Sequence, residues 1–540
     1  MSSNLSVQLT SRLSVILSNL GYNHFDRKEA SRSTGNTESP SSLNNPQVGT
    51  TTRPDLLSDD LATNLVAAIN LIRRQADESG AWLLLAGLGG CLPLKEDVQE
   101  LRYRIEMKGD LDVVEWILTW LFSEQTAIRQ NQEIKVVSGA VIVDVDHSAQ
   151  SALHTGVQRV VRGTLPTWCA KHTIIPVAWD DQANSYRQLK PAEFRRATQM
   201  PHSSTGTLDE ADYDVDSGNC VRIIPWNTTL ICLEVPNKNS SERIADLAEL
   251  STNRVVLVGY DCIPVTSADL VTDADIVKFA SYLRVVKHAD SILAISEAAA
   301  GDFRGFVSTL STQGLKGPTV SVCTLPSVGT PSEIERPESL ESLESLESPI
   351  ILSVGSIEPR KNHGRVLVAC ERLWSEDIKF KLIFVAGSAW DQDVLAVIER
   401  LRSQGRPIEL YREISEEDLA VLYCRASFSV FLSLHEGYGL PISESLAYGV
   451  PVVTSDYGAM KEFQSRGGVV CIDPRNLDEC VQNLRLLLCS QTTLDGLRDA
   501  IAPSSRNSWE NYADELWTLC LRESQVSLDY GTDSASTGSR

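Results

Sequence analysis

Two glutamates, Glu436 and Glu444, flank a glycine turn in the segment SLHEGYGLPISESLAYGVPVV, and this arrangement suits a ligand that carries both a sugar and a phosphate. Residues 428–434 interleave apolar side chains with serines, which predicts a largely buried strand. The glycines between the glutamates allow a sharp turn and a close approach to a ligand. Residues 440–448 have helical character, and the free N–H groups at the start of a helix favour a phosphate.

The two carboxylates have different predicted roles. Glu444 lies about one turn inside the predicted helix, where it can accept hydrogen bonds from a ribose diol. Glu436 precedes the glycine turn, where it can contact the sugar. The alternative is an ordinary strand–turn–helix with two solvated glutamates. Pro441, which suits a first helical turn, and the apolar strand that follows the helix favour the binding site.

Two adjacent cations, Arg360 and Lys361, follow a second apolar run at 350–354. An arginine can hold a phosphate with two hydrogen bonds, and a lysine adds a mobile point charge. A diphosphate leaving group gains negative charge as its bond to the sugar breaks, so cations placed there stabilise the transition state more than the ground state. Taken alone, the pair would be an ordinary surface Arg-Lys dipeptide.

Together these segments resemble the retaining GT-B glycosyltransferases of the glycosyl transferases group 1 type (glycosyltransferase family 4), in particular the bacterial polysaccharide mannosyltransferases. The resemblance is carried by VGSIEPRKNH at 354–363, by residues 433–463 and by Ile472-Asp473-Pro474. Weaker matches are HTGVQRVVRGTL at 154–165, YDCIPV at 260–265 and ADSILAISE at 289–297.

The resemblance implies a role for individual residues. The predicted catalytic residues are Glu436, Lys361, Arg360 and Asp261, the last facing the acceptor. The predicted donor-binding residues are Gly156, Gly437, Tyr438, Gly439, Leu440 and Glu444, and no metal ligand is predicted. Many relatives carry a histidine beside the transferred sugar, but here the comparable strand ends in Tyr260-Asp261 without one. His147 and His154 are the candidates to replace it.

The implied function is hexose transfer, with retention at the anomeric carbon and without a metal, in polysaccharide biosynthesis. The donor would be a nucleotide diphosphate sugar, with GDP-mannose as the first candidate and dTDP-rhamnose and UDP-sugars open. The acceptor would be a saccharide or a lipid-linked saccharide, and no cofactor is expected. A GT-B nucleotide-sugar epimerase and a non-catalytic scaffold of a polysaccharide assembly system are the alternatives.

Asp144-Val145-Asp146 has the form of a metal motif from another glycosyltransferase fold, but GT-B enzymes need no metal there.

Composition restricts the partners and the location. The chain has 540 residues, and its net charge of −22 argues against nucleic acid as a partner. The 12 cysteines have no regular spacing, which fits reduced thiols in a cytoplasm. No secretion signal or long apolar span is visible, so we expect a cytoplasmic protein. Peripheral association with the inner membrane face and the oligomeric state stay open.

The order of elements predicts an α/β fold of the GT-B class: two doubly wound Rossmann-like domains that face a cleft, with an N-terminal helical extension. One apolar run at 136–145 is predicted to be a single strand, and the first sheet is predicted to be parallel. The predicted parts are a helical extension at 1–130 with a disordered linker at 26–54, an acceptor domain at 134–330, an acidic low-complexity linker at 331–348, a nucleotide-sugar domain at 349–500, a C-terminal helix at 505–522 that packs back on the acceptor domain, and a disordered tail at 524–540.

Overall fold

The computed structural model describes residues 2–22, 59–75, 77–122, 133–151, 155–199, 220–326, 348–412, 414–502 and 508–522. Several predictions lie outside these residues: the disordered linker at 26–54, nearly all of the acidic linker at 331–348, the tail at 524–540, and the candidate His154.

The N-terminal region is helical, as predicted. Its helices are α1 (Ser2–Asn19), α2 (Asp59–Arg74), α3 (Ser79–Gly89), α4 (Lys95–Met107) and α5 (Asp110–Leu121). Helix α3 has no polar side chain after Ser79 and is buried on all sides. These helices share one continuous hydrophobic core with the first sheet, in which Trp82 and Leu101 belong to the same cluster as Ile223.

The first sheet, within the described residues, has nine strands in the order β1-β5-β4-β3-β2-β6-β7-β8-β9. They are β1 (Ile134–Ser138), β2 (Val141–Asp144), β3 (Ile174–Asp180), β4 (Ser185–Gln188), β5 (Arg222–Trp226), β6 (Thr229–Cys232), β7 (Arg254–Gly259), β8 (Ser291–Ala294) and β9 (Thr319–Val322). Its helices are α6 (Asp146–Gln150), α7 (Gly156–Lys171), α8 (Pro191–Thr198), α9 (Lys238–Leu250), α10 (Ile263–Thr266), α11 (Asp273–His288) and α12 (Glu297–Leu310). We call this sheet with these helices the N-domain.

Two predictions for the N-domain were wrong. The predicted strand 136–145 is broken at Gly139, whose φ of 64° is left-handed and ends the extended backbone. Strands β1 and β2 therefore lie in different parts of the sheet, with β5, β4 and β3 between them. The sheet is also mixed rather than parallel, because β4 pairs antiparallel with both β3 and β5.

The second sheet has the order β12-β11-β10-β13-β14-β15 in the part of the chain that is described, and all its pairs are parallel. Its strands are β10 (Ile350–Val354), β11 (Lys381–Val385), β12 (Ile408–Tyr411), β13 (Phe428–Phe431), β14 (Val452–Ser455) and β15 (Val469–Ile472). Its helices are α13 (His363–Ser375), α14 (Gln392–Ser403), α15 (Glu416–Arg425), α16 (Leu440–Ala447), α17 (Gly458–Glu462), α18 (Leu477–Cys489) and α19 (Gln491–Asp499). We call this unit the C-domain.

The strand order of the C-domain is that of a doubly wound sheet whose direction of winding reverses between β10 and β13. Ligands of such sheets bind outside the carboxyl ends of the strands at that reversal. The predicted cations follow β10 and the predicted glutamates follow β13, so the topology brings both motifs to one crevice. The predicted fold class is confirmed.

The last described helix, α20 (Trp509–Leu521), lies against helix α7 of the N-domain. The indole Nε1 of Trp168 donates to the carbonyl of Ala513 at 2.8 Å, and Lys171 pairs with Asp514 at 2.8 Å. The chain thus returns from the C-domain to the N-domain. No helix in the described ranges has the length and apolar character needed to cross a membrane.

Candidate active site

Three charged side chains form a compact ion cluster at the winding reversal of the C-domain. Arg360 and Lys361 lie in a short 3₁₀ turn, Pro359–Lys361, directly after β10. Glu436 follows β13 and contacts both cations: Oε1 lies 2.6 Å from Lys361 Nζ, and Oε2 lies 2.7 Å from an Arg360 guanidinium nitrogen. The two sequence motifs, 75 residues apart, therefore meet.

The charge state of Glu436 follows from its partners. Burial raises the pKa of this carboxyl, but Lys361 and Arg360 outweigh burial and bring the pKa down to about 2. Glu436 is thus ionised at neutral pH. Since each of its oxygens holds a cation, Glu436 fixes the positions of Lys361 and Arg360.

The turn after Glu436 needs glycine for two different reasons. Gly439, the N-cap of α16, has a φ of 119°, a conformation that side chains rarely adopt. Gly437 instead needs space: a Cβ there would lie 2.2 Å from the carbonyl oxygen of Tyr260 in the N-domain. The turn is therefore pressed against the end of β7.

Glu444 lies inside α16 and is buried, with both oxygens in use. Tyr423 donates its hydroxyl to Oε2 at 2.8 Å. Arg159 of helix α7 binds Oε1 and also lies 3.4 Å from Glu416. The predicted ribose-binding carboxylate is therefore occupied by an arginine from the opposite domain.

The remaining predicted donor-binding residues line the contact between the domains. Gly156 begins α7, and a Cβ there would lie 3.2 Å from Leu440 at the start of α16. The starts of two helices, both of which favour anions, therefore meet at this point. Tyr438 does not face the crevice: its buried hydroxyl donates to the carbonyl of Leu325 at 2.9 Å and accepts from Arg466 at 3.2 Å.

Asp261 lies beside the ion cluster, on the N-domain side. Its half-buried carboxylate accepts from the backbone N–H of Ile263 at 3.1 Å. Burial raises the pKa of Asp261, and the nearby Arg360 acts in the opposite direction. The predicted set of Glu436, Lys361, Arg360 and Asp261 is thus brought together.

The Asp144-Val145-Asp146 sequence forms a buried polar cluster with Glu234 at the ends of β2 and β6. Glu234 accepts hydrogen bonds from the backbone N–H groups of His147 and Ser148 and from the Ser148 hydroxyl, and burial raises its pKa to about 7. Burial also raises the pKa of Asp144 well above its usual range. Across the described residues, no group of three or more His, Cys, Asp or Glu side chains is arranged to hold a metal ion.

Sequence reasoning missed the histidine that precedes Glu436. The His435 ring points into the N-domain, with Nδ1 2.9 Å from the Ser267 hydroxyl and Nε2 3.4 Å from Asp302. The signal was its position directly before the glutamate, but the candidates considered were N-domain histidines. Of these, His147 has a buried Nε2 without a hydrogen-bond partner among the described residues, and burial lowers its pKa.

The C-terminal motifs fall inside a region that matches a known family. Residues 335–514 match the model described as Glycosyl transferases group 1. The serotype-specific mannosyltransferase WbdA of Escherichia coli is 26% identical over 380 residues, which cover 67% of this chain and 42% of that protein. The O-antigen chain mannosyltransferase B of Escherichia coli is 33% identical over 163 residues, which cover 30% of this chain and 42% of that protein.

Among solved structures, that of Anabaena Alr3699/HepE in complex with UDP and glucose has a TM-score of 0.48 and 12% identity, and the match covers 70% of this chain and 98% of that one. The chain spans less than half of the length of the curated relatives it matches. The match to the Glycosyl transferases group 1 model thus covers about a third of the chain, and the chain is similar to bacterial mannosyltransferases.

Proposed function

We propose that this protein is a retaining hexosyltransferase of polysaccharide biosynthesis. It transfers a hexose, with mannose as the first candidate, from a nucleotide diphosphate donor to a saccharide or lipid-linked acceptor. The observation that carries the proposal is the cluster of Glu436, Lys361 and Arg360 at the winding reversal of a group 1 domain. Two cations beside a carboxylate, where a doubly wound sheet binds its ligand, suit a sugar diphosphate.

The proposed mechanism begins with the donor in the C-domain. Lys361 and Arg360 bind the diphosphate and stabilise the charge that develops on it as the sugar bond breaks. Glu436 orients the two cations and faces the sugar, while Glu444 holds the ribose. Closure of the N-domain excludes water, and the acceptor hydroxyl attacks from the side that the leaving group vacates. An oxygen of the leaving phosphate takes the acceptor proton, so no side chain is assigned as general base.

The proposed donor is GDP-mannose, because several of the similar curated proteins are named mannosyltransferases. The proposed residues require no metal, since the cations supply the positive charge. The proposed location is the cytoplasm, at or near the inner membrane face where lipid-linked acceptors lie.

The test begins with donor binding. GDP-, UDP- and dTDP-sugars are added singly, and the melting temperature is measured, because a ligand that binds the native state raises it. The donor that stabilises most is then incubated with and without saccharide acceptors, and the anomeric configuration of the product is determined by NMR. We expect GDP-mannose to stabilise most and the transferred sugar to keep its configuration.

Matched variants connect the activity to the site. Glu436→Ala and Lys361→Ala should lose transfer while the protein stays folded, whereas Glu371→Ala, which removes a surface ion pair with Arg400, should leave transfer unchanged. Full activity of Glu436→Ala would refute the site. An epimer formed from donor alone would establish the epimerase, and the absence of binding by every donor would favour the scaffold.

A further inference from the structure

Glu436 belongs to the C-domain, yet both of its chain neighbours are held by the N-domain. The His435 ring before it contacts Ser267 and Asp302. The carbonyl of Gly437 after it accepts a hydrogen bond from the buried Ser296 hydroxyl at 2.6 Å. The backbone position of the glutamate is therefore set by contacts from the other side of the cleft.

The contacts of His435 show how it acts. One ring nitrogen lies 2.9 Å from the Ser267 hydroxyl and the other 3.4 Å from a carboxylate oxygen of Asp302. Both ring nitrogens therefore face N-domain side chains, so the ring connects the loop to that domain. Its side chain is 21% exposed, and it lies between the domains.

The backbone of His435 extends the connection to the cations. Its carbonyl accepts a hydrogen bond from Arg360 at 2.7 Å, from the same guanidinium nitrogen that contacts Glu436. The ring faces the N-domain, whereas the carboxylate of the next residue faces Lys361 and Arg360.

We propose that His435 is a positioning residue that ties the loop carrying Glu436 to the N-domain, so that the ion cluster reaches its working geometry only when the domains are closed. The inference rests on the proposed function for its effect on transfer. Its structural part, the tether between His435 and Ser267, stands independently. Misplacing a reacting group by about 1 Å can cost on the order of 100-fold in rate, so a tether of this kind has a measurable effect.

The first experiment measures hydrogen exchange of the loop 432–440 in the full chain. Ser267→Ala removes an N-domain hydroxyl and leaves every atom of the loop itself unchanged, so faster exchange in the loop would report the loss of the tether. We expect exchange to rise by about tenfold in Ser267→Ala and in His435→Ala. The double variant should exchange no faster than His435→Ala, because both changes break the same contact.

The control is Ser281→Ala, another N-domain serine, whose hydroxyl donates to the carbonyl of Val277 in its own helix. Its loop exchange should equal that of the unchanged protein. Unchanged loop exchange in Ser267→Ala, or a double variant that adds the two effects, would overturn the tether. These results do not depend on any donor or acceptor.

The second experiment separates positioning from binding. With the donor that stabilises the unchanged protein, Ser267→Ala should lower kcat about tenfold and leave donor affinity within about twofold. An equal loss in donor affinity would mean that His435 only organises the donor site, and would overturn its proposed role. If the unchanged protein transfers no sugar at all, the proposed function fails, while the exchange measurement still decides the tether.

Discussion

Arg159 in the N-domain and Glu444 in the C-domain form an ion pair across the cleft, on the carboxylate predicted to bind the ribose of the donor. The second oxygen of Glu444 is held by the Tyr423 hydroxyl. A ribose that binds Glu444 would therefore share this carboxylate with both partners or displace one of them. Arg159 is the easier partner to displace, because its side chain is 22% exposed whereas Tyr423 is fully buried.

The first prediction concerns this competition. Arg159→Gln removes the charge that competes with the ribose, so we expect nucleoside diphosphates to bind about three- to tenfold more tightly, within the range typical of coupled sites. Calorimetric titration with GDP and UDP measures the change. Lys171→Gln is the control, because Lys171 lies on the same helix but pairs with Glu510 and Asp514 of α20. Weaker binding by Arg159→Gln would show that Arg159 supports the nucleotide.

The second prediction concerns the energetics of the ion cluster. Lys361→Met or Glu436→Leu each leaves a buried charge with fewer partners, and we expect each to lower the free energy of unfolding by about 3 kcal/mol. In the double variant, the loss in free energy of unfolding should be smaller than the sum of the two single losses by about 1 to 2 kcal/mol. The reason is that the second change removes the charge that the first change left without its partner. Denaturant unfolding of all four proteins measures the cycle. Strict additivity would show that the two groups do not interact.

The third prediction uses the absence of a side chain at Gly437. An alanine fits the backbone of this residue, but its Cβ would lie 2.2 Å from the carbonyl oxygen of Tyr260. Gly437→Ala should therefore keep nucleotide binding and hold the domains apart, with transfer reduced by about 100-fold. Gly301→Ala is the control, since nothing lies within 4 Å of a Cβ there. Normal transfer by Gly437→Ala would contradict the closed arrangement as the working one.

The fourth prediction concerns pH and the buried Glu234, whose pKa is raised by burial from 4.5 to about 7. The native state holds this proton more tightly than the unfolded chain does. The contribution of this proton to the free energy of unfolding is therefore fully present below about pH 4.5 and is lost as the pH rises through about 7. A glutamine at this position does not titrate, so Glu234→Gln avoids this loss. The free energy of unfolding of the variant, relative to that of the unchanged protein, should rise by about 3 kcal/mol between pH 4.5 and 8. Denaturant midpoints across this range measure the difference, and a constant difference would contradict the assignment.

The two strands that precede the motifs of the C-domain, β10 and β13, were predictable because parallel strands covered on both faces are short, continuous apolar runs. The N-domain was harder. The turn at Gly139 interrupts an apolar run that otherwise predicts one continuous strand. Strands β4 (SYRQ) and β5 (RIIPW) contain polar residues and a proline, which are not typical of strands.

The parts of the site that consist of residues close together in the sequence were predictable, whereas contacts between residues far apart in the sequence were not. The glycines and glutamates at 436–444 form one short motif and the adjacent cations Arg360 and Lys361 form another, and the residue types and spacing within each motif predict a ligand pocket. The pairing of Arg159 with Glu444 joins residues 285 positions apart, and no periodicity or spacing reports it. The same holds for His435, whose partners are fixed by how two domains meet.

The shared core of the N-terminal helices and the first sheet has a practical consequence. Gly87 of α3 packs against Ile16 of α1 and lies near Val136 of β1, while Arg243 of α9 bonds to the carbonyl of Leu92. A shortened protein that begins at Ile134 would expose this apolar interior to water, and we expect it to aggregate on expression. Helices α1 to α5 and the N-domain should accordingly melt in a single calorimetric transition, as one cooperative unit.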